Sequence, residues 1–165
     1  MKRFLWLPLA MAACVYGTGA VKMSESSADR FLNELETLSL QGKSADYCAR
    51  LHKDLTVSIR DHTSPEMPRD FDGGKAQFCD YVSTAARAMA LIGPETRATR
   101  ENFLVTRSWL HPWTARVSYH ESRTTRFTRV NATLDTVSDD QWILVFGFDG
   151  LKVLGLASES RAVER

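Results

Sequence analysis

The sequence predicts an α+β domain in which upstream helices cover a four- or five-strand antiparallel meander formed by the last third of the chain. Between residues 96 and 158, apolar and polar side chains alternate in short runs, which is the pattern of strands with one buried face. Upstream, apolar residues recur at intervals of three and four, which is the pattern of helices with one apolar stripe. Because a sheet of this length must bury one face, we expect the helices to lie against it.

The first half of the chain contains three predicted helices. In the first, Phe31, Leu32 and Leu35 share one face, with Ser27 or Asp29 as the expected cap. The third ends at Gly93-Pro94, a pair that stops a helix. The predicted order is a helix over 28–40, a helix over 44–52, a strand over 55–61, an edge strand at 69–71 and a helix over 75–91.

The second half contains five runs rich in β-forming residues. Asp149-Gly150 is the sharpest hairpin signal, because a two-residue turn needs positive φ angles that this pair tolerates. Asp139-Asp140 is interpreted as the preceding turn, and residues 110–112 as the break in the first long hairpin. The runs are 103–105, 115–119, 127–130, 142–146 and 152–154, followed by a flexible tail over 159–165.

The first twenty residues are typical of a signal peptide, with a basic start, an apolar run and small residues up to Ala20. A second interpretation is that residues 11–14 are a bacterial lipoprotein signal, so that Cys14 carries the lipid and tethers the domain to the outer membrane. A polar linker then covers 21–28. Both interpretations predict a periplasmic or secreted domain. If Cys14 carries a lipid, the domain is a membrane-anchored lipoprotein.

Export leaves Cys48 and Cys79 as the two thiols of the folded domain. An even pair in an oxidising compartment favours a disulfide, and the alternative is two buried free thiols. The chain has no Cys-x-x-Cys and no histidine at ligand spacing from either cysteine, so we expect no metal site. A net charge of +1 and 44% hydrophobic residues argue against nucleic acid as a partner.

The order of elements resembles the nuclear-transport-factor-2-like superfamily, including its SnoaL-like branch, over residues 29–158. The local matches are residues 71–78, which are similar to its glycine-bearing entry into the third helix, and residues 142–153, which are similar to its closing hairpin. The resemblance implies a curved antiparallel sheet of four to six strands that forms a cone with the three helices. It also implies an apolar pocket at the open end and a homodimer through the sheet, and it leaves open whether the chain is an enzyme.

Acid–base chemistry in such a pocket needs a group whose pKa burial moves towards neutrality. The candidates are Tyr119 and Glu121, which alternation places on one strand face with His120 on the other, and Asp61 with His62 at the end of the first strand. The alternative is structural: Tyr119 is a core aromatic, Glu121 pairs with an arginine, and Asp61 belongs to a turn.

A ligand could instead be held by arginines or by large aromatic rings. Guanidinium groups match carboxylates and phosphates, and three arginines at odd-numbered strand positions are expected to converge on one face. Tryptophans can line an apolar pocket, or they can pack in the core or a dimer contact. The candidate ligand-binding residues are Arg107, Arg123, Arg129, Trp109, Trp113 and Trp142.

The sequence therefore predicts an exported domain that binds a small apolar or weakly anionic ligand, or a protein partner, without catalysis. One alternative is a cofactor-free lyase or isomerase of the SnoaL-like kind. Another is an immunity protein or an accessory protein of the cell envelope. No motif for nucleotide, metalloprotease or serine-hydrolase chemistry occurs, so no cofactor is expected.

Overall fold

The computed structural model describes residues 23–64, 69–108, 110–129 and 131–163. The described helices are α1 (Glu25–Leu40), α2 (Ser44–Ala49) and α3 (Lys75–Ile92). The described strands are β1 (Leu51–His62), β2 (Arg69–Gly74), β3 (Pro94–Arg107), β4 (Thr114–Phe127), β5 (Ala132–Gly147) and β6 (Gly150–Ala162).

The strands form one curved, open, six-stranded sheet in the order β2-β1-β6-β5-β4-β3. Neighbouring strands are antiparallel except β1 and β6, which pair in parallel. Register shifts interrupt the β1–β6, β3–β4 and β5–β6 pairs, and such bulges bend a strand and increase its twist. The predicted fold class, an α+β cone with three helices, is confirmed; the parallel pair was not anticipated.

Helix α1 begins earlier than the sequence pattern predicted. The hydroxyl of Ser24 accepts a hydrogen bond from the backbone N–H of Ser27 at 3.3 Å, so Ser24 is the N-cap, and the predicted caps Ser27 and Asp29 are wrong. The helix therefore extends into the predicted linker. Its buried face carries the expected apolar stripe, with Phe31, Leu32 and Leu35 almost fully covered.

Helix α2 is shorter than predicted, and β1 begins at once after it. The backbone is already extended at Leu51 because this residue pairs with Val153 of β6. The Leu51 side chain is completely buried. Helix α3 ends where predicted. Gly93 adopts a left-handed φ of 62°, and its N–H donates to the carbonyl of Met89.

The predicted turn at Asp139-Asp140 is wrong, because β5 continues through both residues. The two side chains point to opposite faces of the sheet, as successive residues of a strand must. Asp139 pairs with His120 on the outer face, whereas Asp140 is buried on the face that packs against the helices. Of the predicted run over 127–130, Phe127 is the last residue of β4, residues 128–129 lie in the turn before β5, and Val130 lies outside the described residues. Strand β6 extends into the predicted tail.

The core lies between the helices and the inner face of the sheet, which we define as the face that carries Val117 and Leu144, both fully buried. Cys48 of α2 and Cys79 of α3 form a disulfide with their Cα atoms 5.8 Å apart, as the cysteine count favoured. Among the described residues, no helix is both long enough and apolar enough to cross a membrane.

Candidate functional site

A cleft of about 200 Å³ lies between the first two helices and the inner face of the sheet. Leu32, Leu35 and Leu40 of α1 form an apolar part of its wall, and aromatic rings extend that wall. Polar and charged groups form the rest. The other residues that line the cleft are Glu36, Ser39, Tyr47, Arg100, Tyr119, Glu121, Arg123, Asp140 and Trp142.

Strand alternation places the sheet residues of the cleft on the inner face. In β4, Tyr119, Glu121 and Arg123 follow one another at intervals of two, as predicted. Tyr119 lies opposite Asp140 of β5, and Glu121 lies opposite Arg100 of β3, so both neighbouring strands supply a side chain to the same face.

Four of these side chains form a network of paired charges, which we call the arginine–glutamate network: Glu36, Arg100, Glu121 and Arg123. Glu121 is 4% exposed, and its two oxygens accept from Arg100 Nε at 3.1 Å and from Arg123 Nε at 2.8 Å. Glu36 of α1 bridges the same two guanidinium groups, with 2.9 Å to Nη2 of each. The network therefore connects the first helix to the sheet through two cations and two anions.

Arg100 makes further contacts at the edge of this network. Its Nη1 lies 3.4 Å from a carboxylate oxygen of Asp29 and donates to the side-chain oxygen of Asn33. Its guanidinium carbon lies 5.2 Å from the centre of the Tyr119 ring. The side chain of Arg100 is only 13% exposed, so little of its charge faces water.

Tyr119 is held in place by rings as well as by the strand. Trp142 Nε1 donates to the Tyr119 hydroxyl at 2.9 Å, and Phe103 stacks on the Tyr119 ring with the centroids 5.7 Å apart. Burial raises the pKa of Tyr119 well above that of a free phenol, with nearby carboxylates as lesser causes. The hydroxyl therefore stays protonated near neutral pH and keeps a hydrogen to donate.

Asp140 is a carboxyl group that lies beside the network. It is 8% exposed, and Ser138 donates to it at 3.1 Å. Burial raises its pKa above the ordinary value, and repulsion from Glu121 adds to this. Hydrogen bonds from Ser158 and Ser138 and the positive charge of Arg123 act in the opposite direction. Of the three carboxyl groups that line the cleft, Asp140 is the one that no arginine contacts in the described part of the chain.

Asp61 and His62 lie at the end of β1 and do not line the cleft. Asp61 Oδ1 accepts from the backbone N–H of Thr63 at 2.9 Å, and Ser160 lies within 3.4 Å of the same oxygen. His62 is exposed. This is the geometry of a strand end entering a turn, which was the structural alternative for this pair.

The three candidate arginines do not converge. Arg107 is at the end of β3 opposite Ala115, whereas Arg129 follows the far end of β4 and donates to the carbonyl of Leu91. Residues 115 and 127 of β4 are separated by roughly 40 Å of extended strand. Arg123 alone of the three reaches the cleft, where two glutamates already neutralise it.

The candidate tryptophans separate in the same way. Trp142 lines the cleft. Trp113 is half-buried and stacks on Phe146, with the ring centroids 5.7 Å apart, and it is not part of the cleft wall. Trp109 and the proposed lipidation site Cys14 lie outside the described residues.

Three charged residues of the cleft were not nominated from the sequence: Glu36, Arg100 and Asp140. A signal for Glu36 is present, because it follows the buried Leu32 by four residues and so shares its helix face. A signal for Asp140 is also present, because it precedes Trp142 by two residues on one strand face. Arg100 lies in a run that is otherwise polar and exposed, and its role depends on the packing of α1 across β3.

A curved six-stranded sheet closed on one face by three helices, with a cleft between them, defines the nuclear-transport-factor-2-like or cystatin-like cone fold, and this chain has that fold. Solved structures with this fold include the β subunit of benzoate 1,2-dioxygenase from Burkholderia mallei. The two share 8% identity over 84% of this chain and 91% of that one, with a TM-score of 0.64.

Two further solved structures are similar to this chain. ActVI-ORFA from Streptomyces coelicolor is 13% identical over 81% of this chain and 91% of that one, with a TM-score of 0.60. A nuclear-transport-factor-2-like protein with a cystatin-like fold from Novosphingobium aromaticivorans is 13% identical over 81% and 88%, with a TM-score of 0.53. No protein-family model and no curated protein matches the sequence. At these identities the likeness establishes the fold, and function must be argued from the cleft.

Proposed function

We propose that this chain is a binding domain that holds a small molecule with an apolar body in the cleft, without changing it chemically. The observation that carries this proposal is the composition of the cleft wall. Leu40 and the Trp142 ring offer apolar surface, to which Leu32 and Leu35, each 2% exposed, add a small area, while the charged groups opposite are mostly paired with each other. Six of the twelve lining residues are leucine or aromatic and six are polar or charged, and a concave wall that combines apolar surface with fixed polar groups is a usual form of a small-molecule site.

The pairing of charges favours an apolar ligand over an anionic one. Arg100 and Arg123 both contact Glu121 and Glu36, so a ligand carboxylate would have to displace one of these side chains. Such a displacement would leave a glutamate largely desolvated and unpaired, which costs several kcal/mol. Of the small apolar or weakly anionic ligands expected from the sequence, we therefore propose those with an apolar body and no negative charge.

The same contacts support binding rather than catalysis by Glu121. Each of its oxygens accepts a hydrogen bond from a guanidinium group, and the side chain is 5% exposed. A general base needs a free oxygen within reach of the substrate proton. Glu121 serves instead as the anion that holds two arginines in position.

Nuclear magnetic resonance of the indole groups tests the proposal. Addition of benzyl alcohol, a neutral aromatic probe, is expected to shift the Trp142 indole signal and to leave the Trp113 signal unchanged. Ser39→Trp, which places a large ring in the cleft wall, should abolish the shift, whereas Thr37→Trp on an exposed position of the same helix should retain it. A Trp142 signal that does not respond to any neutral ring of this size would contradict the proposal.

One observation favours a second function, acid–base catalysis centred on Asp140. The pKa of the Asp140 carboxyl group is raised, and the protonated Tyr119 hydroxyl lies opposite it on β4. Asp140 could act as the base, and Tyr119 as the hydrogen-bond donor, in proton transfer next to a carbonyl group. The test is exchange of the α-hydrogens of cyclohexenone in heavy water. Catalysed exchange that Asp140→Asn removes and Asp139→Asn leaves intact would support this function, and exchange at the uncatalysed rate would exclude it for this substrate.

We infer that the domain works outside the cytoplasm, in the periplasm or after secretion. The Cys48–Cys79 disulfide supports this location, because disulfides persist in oxidising compartments. Mass spectrometry of the mature N-terminus should find a chain that begins after Ala20 or a lipid on Cys14. An intact N-terminus in the cell fraction that holds the protein would contradict export.

A further inference from the structure

The charged groups that line the cleft do not sum to zero. Two guanidinium groups, those of Arg100 and Arg123, face three carboxyl groups, those of Glu36, Glu121 and Asp140. The arginine–glutamate network is balanced within itself, two against two, and each of its carboxylates contacts both arginines. Asp140 is therefore the carboxyl group left without a cationic partner at contact distance among the described residues.

The partners of Asp140 are hydroxyl groups, which bond a carboxylate without neutralising it. Ser138 donates to it at 3.1 Å, and Ser158 also bonds to it. A buried carboxylate without a counter-charge is costly, and the cost can be relieved by a proton or by a cation. Burial raises the pKa of Asp140 above the ordinary value, which is the direction expected for a carboxylate that no cation contacts.

Three aromatic rings lie near Asp140, and those of Trp142 and Tyr47 are the ones left for a ligand cation, since Arg100 and Phe103 already pack against the Tyr119 ring. Trp142 follows it by two residues on the same face of β5, Tyr119 lies directly opposite it on β4, and Tyr47 closes the cleft from α2. Tryptophan and tyrosine faces attract ammonium groups through their negative π surface. A buried carboxyl group that no cation contacts in the described part of the chain, next to aromatic rings, favours an organic ammonium group as ligand.

We propose that the ligand of the cleft is a small organic cation, a protonated amine with an apolar body, whose ammonium group pairs with Asp140. This inference rests on the proposed binding function and names the chemical class of its ligand. The apolar body lies against Leu32 and Leu35, and the ammonium group supplies the positive charge that the cleft lacks.

Three probes with the same ring and different charge separate the possibilities: benzylammonium, benzyl alcohol and benzoate. At pH 7, benzylammonium is expected to bind about tenfold more tightly than benzyl alcohol. A hydrogen bond between two charged groups increases binding affinity by about this factor or more. Benzoate should bind most weakly. The Trp142 indole signal reports occupancy of the cleft, and the Trp113 signal is the internal reference.

A pair of neighbouring variants assigns the effect to one carboxyl group. Asp140→Asn should reduce benzylammonium affinity to that of benzyl alcohol. Asp139→Asn removes the same charge from the next residue of β5, which is exposed on the outer face, and should leave the affinity unchanged. Equal binding of benzylammonium and benzyl alcohol by the unaltered protein, or equal losses in the two variants, would overturn the inference while leaving the binding function in place.

The pH dependence of the unaltered protein provides a second test that needs no variant. As pH falls through the pKa of Asp140, the carboxyl becomes neutral, so benzylammonium should bind more weakly and benzyl alcohol should not. The other titratable groups facing the cleft are Glu36, Tyr47, Arg100, Tyr119, Glu121 and Arg123. A loss of affinity shared by both probes would point to these groups or to the fold, and would contradict the assignment to Asp140. If no probe shifts the Trp142 signal, the proposed binding function itself fails.

Discussion

At Glu121, two guanidinium groups replace the water that a carboxylate loses on burial. Arg100 and Arg123 each donate to one of its oxygens, and both arginines contact Glu36 of α1 as well. Removal of one member of a buried charge pair leaves the others desolvated and incompletely bonded. The stability of the domain should therefore depend strongly on this residue.

Glu121→Ala is expected to lower the free energy of unfolding by about 3 kcal/mol. This value is at the lower end of the range for the loss of one partner of a buried ion pair, because Glu36 still contacts both arginines. Urea denaturation measures the change. The control is Glu34→Ala, which removes a carboxylate that pairs with Arg50 at an exposed position of α1 and should cost less than about 1 kcal/mol. A Glu121→Ala protein as stable as its Glu34→Ala counterpart would refute the account of the network.

Asp140→Asn should make the protein more stable at neutral pH and should lose this advantage in acid. The folded-state pKa of Asp140 lies above the ordinary value of 3.8, so its carboxyl favours folding below that value and opposes it once ionised. The free energies of unfolding of the two proteins should converge as pH falls below about 4. A difference that is constant with pH would show that the asparagine acts through packing or hydrogen bonds alone.

Part of the site was accessible from the sequence. Alternation in β4 predicted that Tyr119 and Glu121 share the inner face and that His120 faces outward, and the structure agrees. It also places Glu121 in an arginine pair, the structural alternative. The identity of its partners depends on which helix crosses which strand, a long-range fact that local patterns do not contain. Asp140 was missed because two adjacent aspartates are also a common turn signal.

At the scale of elements, helix type and order were easier to predict than helix and strand ends. Helix α3 begins at Lys75, as its pattern indicates, because two glycines precede it. It ends at Ile92 because Gly93 follows it. Helix α2 and strand β1 were misplaced by several residues, since Leu51 satisfies both a helical and an extended apolar pattern. Pairing of Leu51 with β6 decides between them, and no local signal reports that pairing.

Gly93→Ala should lower the free energy of unfolding by about 1 kcal/mol, because φ at this residue is +62° and a side chain is strained there. The nearest atoms to an added methyl group lie 3.9 Å away, so conformation and not crowding sets the cost. Gly147→Ala is the matched control: no atom lies within 4 Å of its added methyl, and its φ lies outside the positive region. Thermal denaturation that shows equal effects at both positions would contradict this explanation.

The disulfide joins α2 to α3 across 31 residues of sequence. Replacement of both cysteines by serine should lower the free energy of unfolding by roughly 3 to 4 kcal/mol, the value expected for a closed loop of this length. Denaturation of the variant measures the loss. Alkylation of denatured, unreduced protein provides the control: labelling of both thiols would show that the bond does not form.

At the scale of the whole molecule, the fold leaves a cleft between the first two helices and the sheet. Helix α1 crosses the inner face of the sheet and contributes both the buried leucines of the core and the residues that line the cleft. Leu32 and Leu35 belong both to the core and to the cleft wall, so the same face of the helix contributes to stability and to the site. The fold class could be predicted because alternation and helical periodicity are properties of long segments, whereas the parallel pairing of β1 with β6 could not.

Contacts between a bound ring and the cleft wall test the central claim most directly. Nuclear Overhauser effects from the ring protons of benzylammonium are predicted to reach the methyl groups of Leu32 and Leu35 and the indole of Trp142. The same experiment can detect binding at exposed apolar side chains elsewhere, such as Leu110 and Phe148. Contacts to those exposed residues, with none to the cleft, would contradict the account.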